Sequence, residues 1–317
     1  MNILVFGKDG QLGKAFQGLF EGNSLSEQNQ VQYIGRDQCD LSNPNAIRNL
    51  LNQSKPDLII NAAAYTAVDK AESEADLAYA INAKAPELMA LYAVTHGATF
   101  LHFSTDYVFD GSKKGLYVED DLRSPLSAYG KSKAAGEVGI EQVFAGASSG
   151  QFAIFRTSWV YGEGSNFIRT ILRLAREREE LKVIHDQFGI PTSADWLARV
   201  SLDLVLDQEK QLRKFSSGIY HAVPSGETTW HGLAGVATQA ALDAGIKLKV
   251  SLEAIKPILA IEYPLPASRP MNSRMDNSKL RLALEQIGDM SKLQHWNEAW
   301  LIQVQSYVIR LAKDGLI

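Results

Sequence analysis

The run Tyr129-Gly130-Lys131-Ser132-Lys133 sets a phenol and an ammonium four residues apart. On a helix, positions i and i+4 share a face, so both groups point the same way. A free tyrosine has a pKa near ~10, a poor match to neutral pH. A neighbouring positive charge favours the phenolate and lowers that value. A tyrosine tuned in this way can give a proton to a ketone oxygen while a hydride reaches the carbon. Such general acid catalysis contributes typically ~10²–10⁴ in rate. The pattern alone is common by chance, so its setting matters. Phe103-Ser104-Thr105-Asp106-Tyr107-Val108-Phe109 ends an apolar run 24 residues before Tyr129, and a hydroxyl there can bond the same ketone oxygen.

A hydride needs a donor, and the N-terminus offers a place for one. Gly7-Lys8-Asp9-Gly10-Gln11-Leu12-Gly13 follows a short apolar strand and opens a helix. One glycine makes the tight turn, one lets the backbone approach a pyrophosphate, and one lets the helix pack on the strand. The helix N-terminus at Gln11 and Leu12 then presents free N–H groups to an anion. Gly35-Arg36-Asp37 ends the second strand. An acid there would bind a ribose 2′-hydroxyl and an arginine would favour a 2′-phosphate. With Lys8 adding positive charge, the sequence favours NADPH, with NADH tolerated. Asn61-Ala62-Ala63-Ala64-Tyr65-Thr66 follows the third strand. Its small residues leave room for a cofactor in the crevice, or serve tight helix packing.

These motifs need elements to carry them. Short buried strands are expected at Ile3–Phe6, Val31–Ile34, Leu58–Ile60, Thr99–Ser104 and Phe152–Arg156. Helices alternate with them near 11–20, 44–53, 73–96 and 128–144, Pro44 suiting a first helical position. A polar surface loop is expected over 22–30. The alternation predicts an α/β fold, a Rossmann-type doubly wound parallel sheet with helices on both faces. Beyond Trp159, helices are expected at 166–180, 194–206 and 230–244. A late sheet strand is expected at 219–223 and a Pro-rich loop at 257–270. The predicted division is a cofactor domain over 1–160, to which 182–223 returns, and a smaller, interleaved substrate lobe over 161–181 and 224–317.

Composition narrows the class. Of 317 residues, 45% are hydrophobic and 21% charged, which argues against disorder across the chain. Lys+Arg 32 against Asp+Glu 36, without a basic block, gives no nucleic-acid footprint. One cysteine, Cys39, excludes an internal disulfide and suits a reducing, cytoplasmic compartment. The first apolar run is too short for a signal peptide, and no window suggests a membrane span.

The glycine spacing, the strand-end Ser104-Thr105-Asp106 and the Tyr129–Lys133 pair together resemble the extended short-chain dehydrogenase/reductase family. Further runs resemble its dTDP-4-dehydrorhamnose reductase branch. They are Asn61 to Ala64 with Thr66-Ala67-Val68-Asp69-Lys70-Ala71-Glu72, Ser104 to Phe109, Phe155 to Tyr161, Asn166-Phe167, Asp186 to Gly189 with Pro191-Thr192, and Arg269-Pro270 with Asn272-Ser273. They span nearly the whole chain. The resemblance implies NAD(P)H-dependent reduction of the C4 ketone of dTDP-4-dehydro-β-L-rhamnose, and through that sugar a role in surface polysaccharide or O-antigen synthesis. It implies the set Thr105, Tyr129 and Lys133 at the reacting centre, Asp40 and Leu41 along the adenine, and Asn82 behind the lysine. It places Thr105, Asp106, Trp159 and Asn166 on the substrate side, with Arg269 and Arg274 suited to its diphosphate.

One departure concerns a metal. Some relatives are described with Mg²⁺ bridging a dimer through glutamates. Two of those positions are Ala15 and Asp195 here. Losing a carboxylate weakens a magnesium site, so no metal is expected, and a monomer or weak homodimer is. Alternatives are an epimerase on the same triad, another nucleotide-4-ketosugar reductase, and a non-catalytic NADP-binding regulatory subunit. A dehydratase fits less well, because Tyr107 stands where such enzymes carry a glutamate.

Overall fold

The computed structural model describes residues 1–22, 29–287 and 292–317. Most of the polar loop expected at 22–30 lies outside the described residues. Among those described, no helix is long and apolar enough to cross a membrane.

The first half alternates as the pattern predicts. Strand β1 (Asn2–Phe6) leads to helix α1 (Gln11–Gly22), and β2 (Gln30–Ile34) to α2 (Pro44–Ser54). Asn43 caps α2, its side chain accepting from the N–H groups of Asn45 and Ala46, with Pro44 in the first turn. Strand β3 (Leu58–Asn61) is followed by α3 (Ala75–Tyr79), a π-turn at Ala80–Lys84 and α4 (Ala85–His96). The single helix expected over 73–96 is thus interrupted around Asn82. Then come β4 (Thr99–Thr105), α5 (Ala128–Phe144) and β5 (Gln151–Thr157).

Beyond β5 the elements are shorter. Strand β6 (Val160–Tyr161) precedes α6 (Phe167–Glu177), then β7 (Leu181–Ile184), β8 (Phe188–Gly189) and β9 (Thr192–Ser193). Helix α7 (Ala194–Val205) and strand β10 (Gly218–His221) follow, then β11 (Thr228–Thr229), α8 (Trp230–Asp243) and β12 (Ile255–Ile258). The chain closes on α9 (Ser278–Gln286), α10 (Leu293–Trp296) and α11 (Trp300–Lys313).

Six strands form one parallel sheet in the order β10-β5-β4-β3-β1-β2. The order reverses between β1 and β3, and ligands of such sheets bind outside that switch point. Successive residues of a strand face opposite sides, and two cores result. Ile3 and Val5 pack with Phe16, Trp196 and Leu197 of α1 and α7. Leu4 and Phe6 pack with Ile47, Met89 and Ile140 of α2, α4 and α5. Strands β3, β4 and β5 are buried throughout, which explains their unbroken apolar runs.

The smaller lobe is built from two-stranded pairs over helices. Strand β7 pairs with β12, β8 with β11 and β6 with β9. Helix α6 ends at Glu177, earlier than the expected 180, and Leu181 to Ile184 pair instead with Ile255 to Ile258. Pro257 lies in β12 rather than in a loop. It is tolerated because β12 is an edge strand. Ile168, Leu172, Leu233, Val304 and Val308 tie α6, α8 and α11 into a separate core.

Candidate active site

The glycine loop is built by close contacts. Gly7 has φ +88, and a Cβ there would lie 2.7 Å from the backbone nitrogen of Ala63. A Cβ on Gly13 would lie 2.0 Å from the Gly7 carbonyl oxygen. Any side chain at either position would push α1 or the β3 turn away. The loop opens on a cavity of about 670 Å³ at the switch point. Its walls carry Gly7, Gly10, Gln11, Leu12, Arg36, Asp40 and Leu41, with Ala63, Ala64 and Thr66 from the turn after β3. A dinucleotide fits this site: bare backbone N–H groups beneath, small residues opposite and a guanidinium at the rim. Arg36 lines the cavity while Asp37 does not, a pattern that suits a 2′-phosphate. Lys8 lies outside the lining and pairs with Asp9 at 3.1 Å.

Two residues expected at the cofactor do indirect work. The Asn82 amide accepts from the Tyr65 N–H at 2.8 Å and donates to its carbonyl at 3.0 Å. It also donates to the Ser132 hydroxyl at 3.0 Å, one residue before Lys133. Asn82 therefore pins the turn after β3 to α5. The Tyr65 phenol points away and donates to Glu74 at 2.8 Å.

Tyr129 and Lys133 lie one turn apart on α5, whose start is capped by the Ser127 hydroxyl accepting from Gly130. Burial pushes the Tyr129 phenol up to about 12, opposed by the neighbouring Thr105 hydroxyl and reinforced by the Asp106 carboxylate. The protein's own groups thus act opposite to the lowering that the Tyr–Lys spacing predicts. The physical reason is desolvation, together with the position of the lysine. Lys133 donates to the Phe103 carbonyl at 2.6 Å and lies 3.1 Å from His102 Nε2. Burial lowers its pKa from 10.5 to about 8, against the pull of Glu137.

Thr105 ends β4 and donates to Asp106 Oδ1 at 3.0 Å. Asp106 is buried, and its Oδ2 has no hydrogen-bond partner. Burial raises its carboxyl to about 6, with the Ser273 and Thr105 hydroxyls opposing the shift. Tyr107 meets the Tyr129 ring edge-on at 5.4 Å and also lines a second cavity of about 810 Å³ between sheet and lobe. Thr105, Tyr129 and Lys133 themselves are not among the residues lining either cavity.

The second cavity brings in Trp159, Trp230, Arg178, Lys182 and Arg269. Trp159 stacks on Trp230 with centroids 3.7 Å apart and adopts φ 47, a strained value for a bulky side chain. A Cβ on Gly189 would lie 2.4 Å from the Trp159 indole, so glycine there makes room for the ring. Arg269 lines the cavity but grips Asp69 through two nitrogens, at 3.0 and 2.8 Å. Arg274 does not line it. Its guanidinium bonds Asn272, Glu227 and the Lys114 carbonyl. Asn166 lines neither cavity and caps α6, accepting from Arg169 and donating to Gly162 and Tyr307. Asp195, one of the positions considered for magnesium, pairs with Arg310 at 2.8 Å.

Trp230, Arg178 and Lys182 carry no local signal in the sequence, because only the folded lobe brings them to one wall. His102 did leave a signal, an imidazole within an apolar strand run, which it shares with His221 of β10.

The family model described as RmlD substrate binding domain matches residues 1–307. A relative from Escherichia coli strain K12, named dTDP-4-dehydrorhamnose reductase, is 43% identical over 286 residues, 89% of this chain and 91% of its own. A solved dTDP-4-dehydrorhamnose reductase from Clostridium acetobutylicum has a TM-score of 0.83 at 36% identity, over 98% of this chain and 99% of its own. That from Bacillus anthracis str. Ames, solved in complex with NADP, has a TM-score of 0.81 at 31% identity, over 97% and 98%. With that coverage, the chain belongs to the family of the RmlD substrate binding domain.

Proposed function

We propose that this chain is a dTDP-4-dehydrorhamnose reductase, which reduces the C4 ketone of dTDP-4-dehydro-β-L-rhamnose to dTDP-β-L-rhamnose with NADPH. The observation that carries the reading is the Thr105 hydroxyl beside the Tyr129 phenol, with Lys133 one turn along α5, in a chain whose glycine loop opens on a dinucleotide-sized cavity. Relatives with this name at 43% identity support the substrate. The NADP complex of the Bacillus anthracis enzyme supports the cofactor.

NADPH, when bound in the first cavity, supplies the hydride that reaches C4. The remaining chemistry belongs to the chain. Gly7, Gly10 and the N-terminus of α1 would hold the pyrophosphate, and Arg36 would pair with the 2′-phosphate. Thr105 and Tyr129 hydrogen-bond the ketone oxygen, and Tyr129 donates the proton that completes the alcohol. Asp106, with a free Oδ2, accepts from a sugar hydroxyl. Trp159 forms an apolar wall against the hexose, backed by Trp230. Arg178 and Lys182, on a wall they share with Glu180 and Glu262, are the cations of the second cavity suited to a diphosphate, Arg269 being held by Asp69. In this reading residues 1–160 and most of 182–223 serve the cofactor, and 161–181 with 224–317 serve the substrate. Strand β10 within the central sheet supports that division. A cytoplasmic location belongs to the same reading, with the lone Cys39 buried and unpaired.

The test is direct. Purified protein is mixed with NADPH and enzymatically generated dTDP-4-dehydro-L-rhamnose, with NADH and the UDP analogue alongside. Loss of reduced-nicotinamide absorbance coupled to dTDP-L-rhamnose formation is expected. NADPH binding without turnover would overturn the reading. It would leave another ketosugar, an epimerase or a non-catalytic subunit.

A further inference from the structure

The run Thr66-Ala67-Val68-Asp69-Lys70-Ala71-Glu72 carries two carboxylates, and neither lines a cavity. In the fold Asp69 opens a 3-10 turn, Lys70–Glu72, seated on the wholly buried Ala71. Backbone bonds close the turn. Ala71 donates to the Ala67 carbonyl at 2.9 Å and Ser73 to that of Lys70 at 3.1 Å. The two carboxylates therefore leave opposite ends of one fixed piece of backbone.

Asp69 reaches the smaller lobe. Its Oδ1 accepts from the Ala267 N–H at 3.1 Å and from Arg269 Nη1 at 3.0 Å, and its Oδ2 from Arg269 Nη2 at 2.8 Å. A guanidinium held through two nitrogens is fixed in orientation as well as in place. The segment so held is a wall of the second cavity, which Leu265, Arg269 and Pro270 line together with Tyr107.

Glu72 reaches the catalytic helix. Its Oε1 accepts from the Ala128 N–H at 2.8 Å, one residue before Tyr129. The first N–H groups of a helix have no partner within it. Ser127 takes that of Gly130, and Glu72 takes that of Ala128. A carboxylate also suits the positive end of a helix. The third restraint is packing: a Cβ on Gly130 would lie 2.3 Å from the Tyr107 carbonyl oxygen. The first turn of α5 thus has little freedom to shift.

We infer that Asp69 and Glu72 are positioning residues for the ketone reduction, their shared turn holding one wall of the second cavity in register with the Tyr129 phenol. The inference rests on the reductase reading. Neither carboxylate lines the substrate cavity, so both act through other residues. The reacting carbon must meet a hydride while its oxygen meets the phenol, and a misplacement of about 1 Å can cost ~10²-fold in rate.

The experiment uses the full chain with saturating NADPH and varied dTDP-4-dehydro-L-rhamnose, well below the melting temperature. Glu72→Ala should lower kcat about tenfold with NADPH affinity unchanged. Glu72→Gln keeps an acceptor for Ala128 and should restore the rate. Asp69→Ala should raise KM and lower kcat, and Asp69→Asn should do so more weakly. Because both residues act through one turn, the Asp69→Ala/Glu72→Ala pair should lose less than the product of the two single losses. In substrate-free protein labelled with ¹³C-tyrosine, the Tyr129 ring signal should move in both alanine variants and stay in Glu72→Gln. Glu72 is exposed, so its variants keep the test open if those of Asp69 fail to fold.

A lower melting temperature with kcat within about twofold of wild type would reduce both residues to a structural role and overturn the inference. So would a Glu72→Gln enzyme as slow as Glu72→Ala, or losses that multiply. A lower KM in Asp69→Asn would also overturn it, by showing that Asp69 competes with the substrate diphosphate for Arg269. A wild type that consumes no NADPH with the ketosugar would sink the reductase reading, while the Tyr129 signal would still decide whether the turn sets the phenol.

Discussion

Two buried charge sites lie one turn apart on α5, and they are built on opposite principles. Glu137 is fully buried and fully paired: Arg156 reaches it through Nε at 2.9 Å and Nη2 at 2.7 Å, and Arg123 through Nε at 2.6 Å. Those partners hold its carboxyl below its usual range despite burial. Lys133 is equally buried, yet its hydrogen-bonding neighbours are a carbonyl and a neutral imidazole, and burial takes its pKa down to about 8. A paired charge has one stable protonation state and serves the structure. A charge left with neutral partners sits between two states near neutral pH, which suits a group that must influence a proton donor.

Four substitutions would sharpen or break this contrast. Tyr129→Phe removes the proton donor that the lysine serves. It should lower kcat/KM about 10²–10⁴-fold and leave NADPH affinity in a fluorescence titration unchanged. Activity within a few-fold of wild type would remove Tyr129 from the mechanism.

Glu137→Gln leaves the buried Arg156 without its counter-charge and should destabilise the fold by about 3–5 kcal/mol in urea unfolding. A loss under about 1 kcal/mol would mean the pair is not the structural anchor that its geometry suggests.

Lys133→Met should do the opposite to stability while abolishing activity. The folded lysine releases its proton near 8 and the unfolded one near 10.5. Between those values the unfolded chain binds more protons, so wild-type stability rises with pH across that window. At pH 7 the buried lysine carries nearly the whole penalty. Its removal should stabilise the protein by up to about 3 kcal/mol, a gain that shrinks as pH climbs toward 10.5. Melting curves at pH 7 and pH 10 measure both the sign and the trend. A variant less stable than wild type at pH 7 would contradict the contrast directly.

Arg123→Ala has the smallest expected effect, about 1 kcal/mol, because Arg123 is partly exposed and Glu137 keeps Arg156. A loss as large as that of Glu137→Gln would show that the two arginines act as one unit.

Much of the cofactor side was legible in the residues themselves. Gly7, Gly10 and Gly13 act within one turn of chain, and the need for bare backbone there is local. Tyr129 and Lys133 share a helix face, which spacing alone predicts. The strands could be read because full burial demands unbroken apolar runs. The substrate side was less legible. Asn166 carried a resemblance but serves as a helix cap, while Arg178, Lys182 and Trp230 gave no sign of the cavity they line.

The sequence by itself determined the alternating fold, the phosphate turn and the pairing of phenol with amine, because each follows from periodicity or from spacing within one element. The tertiary structure decided the surroundings of that amine. Lys133 lies 3.1 Å from His102, 31 residues away on β4, which in turn meets Asn61 in the neighbouring strand β3. Only the register of the parallel sheet brings those groups together, and only burial in the folded chain takes the lysine's pKa down to about 8.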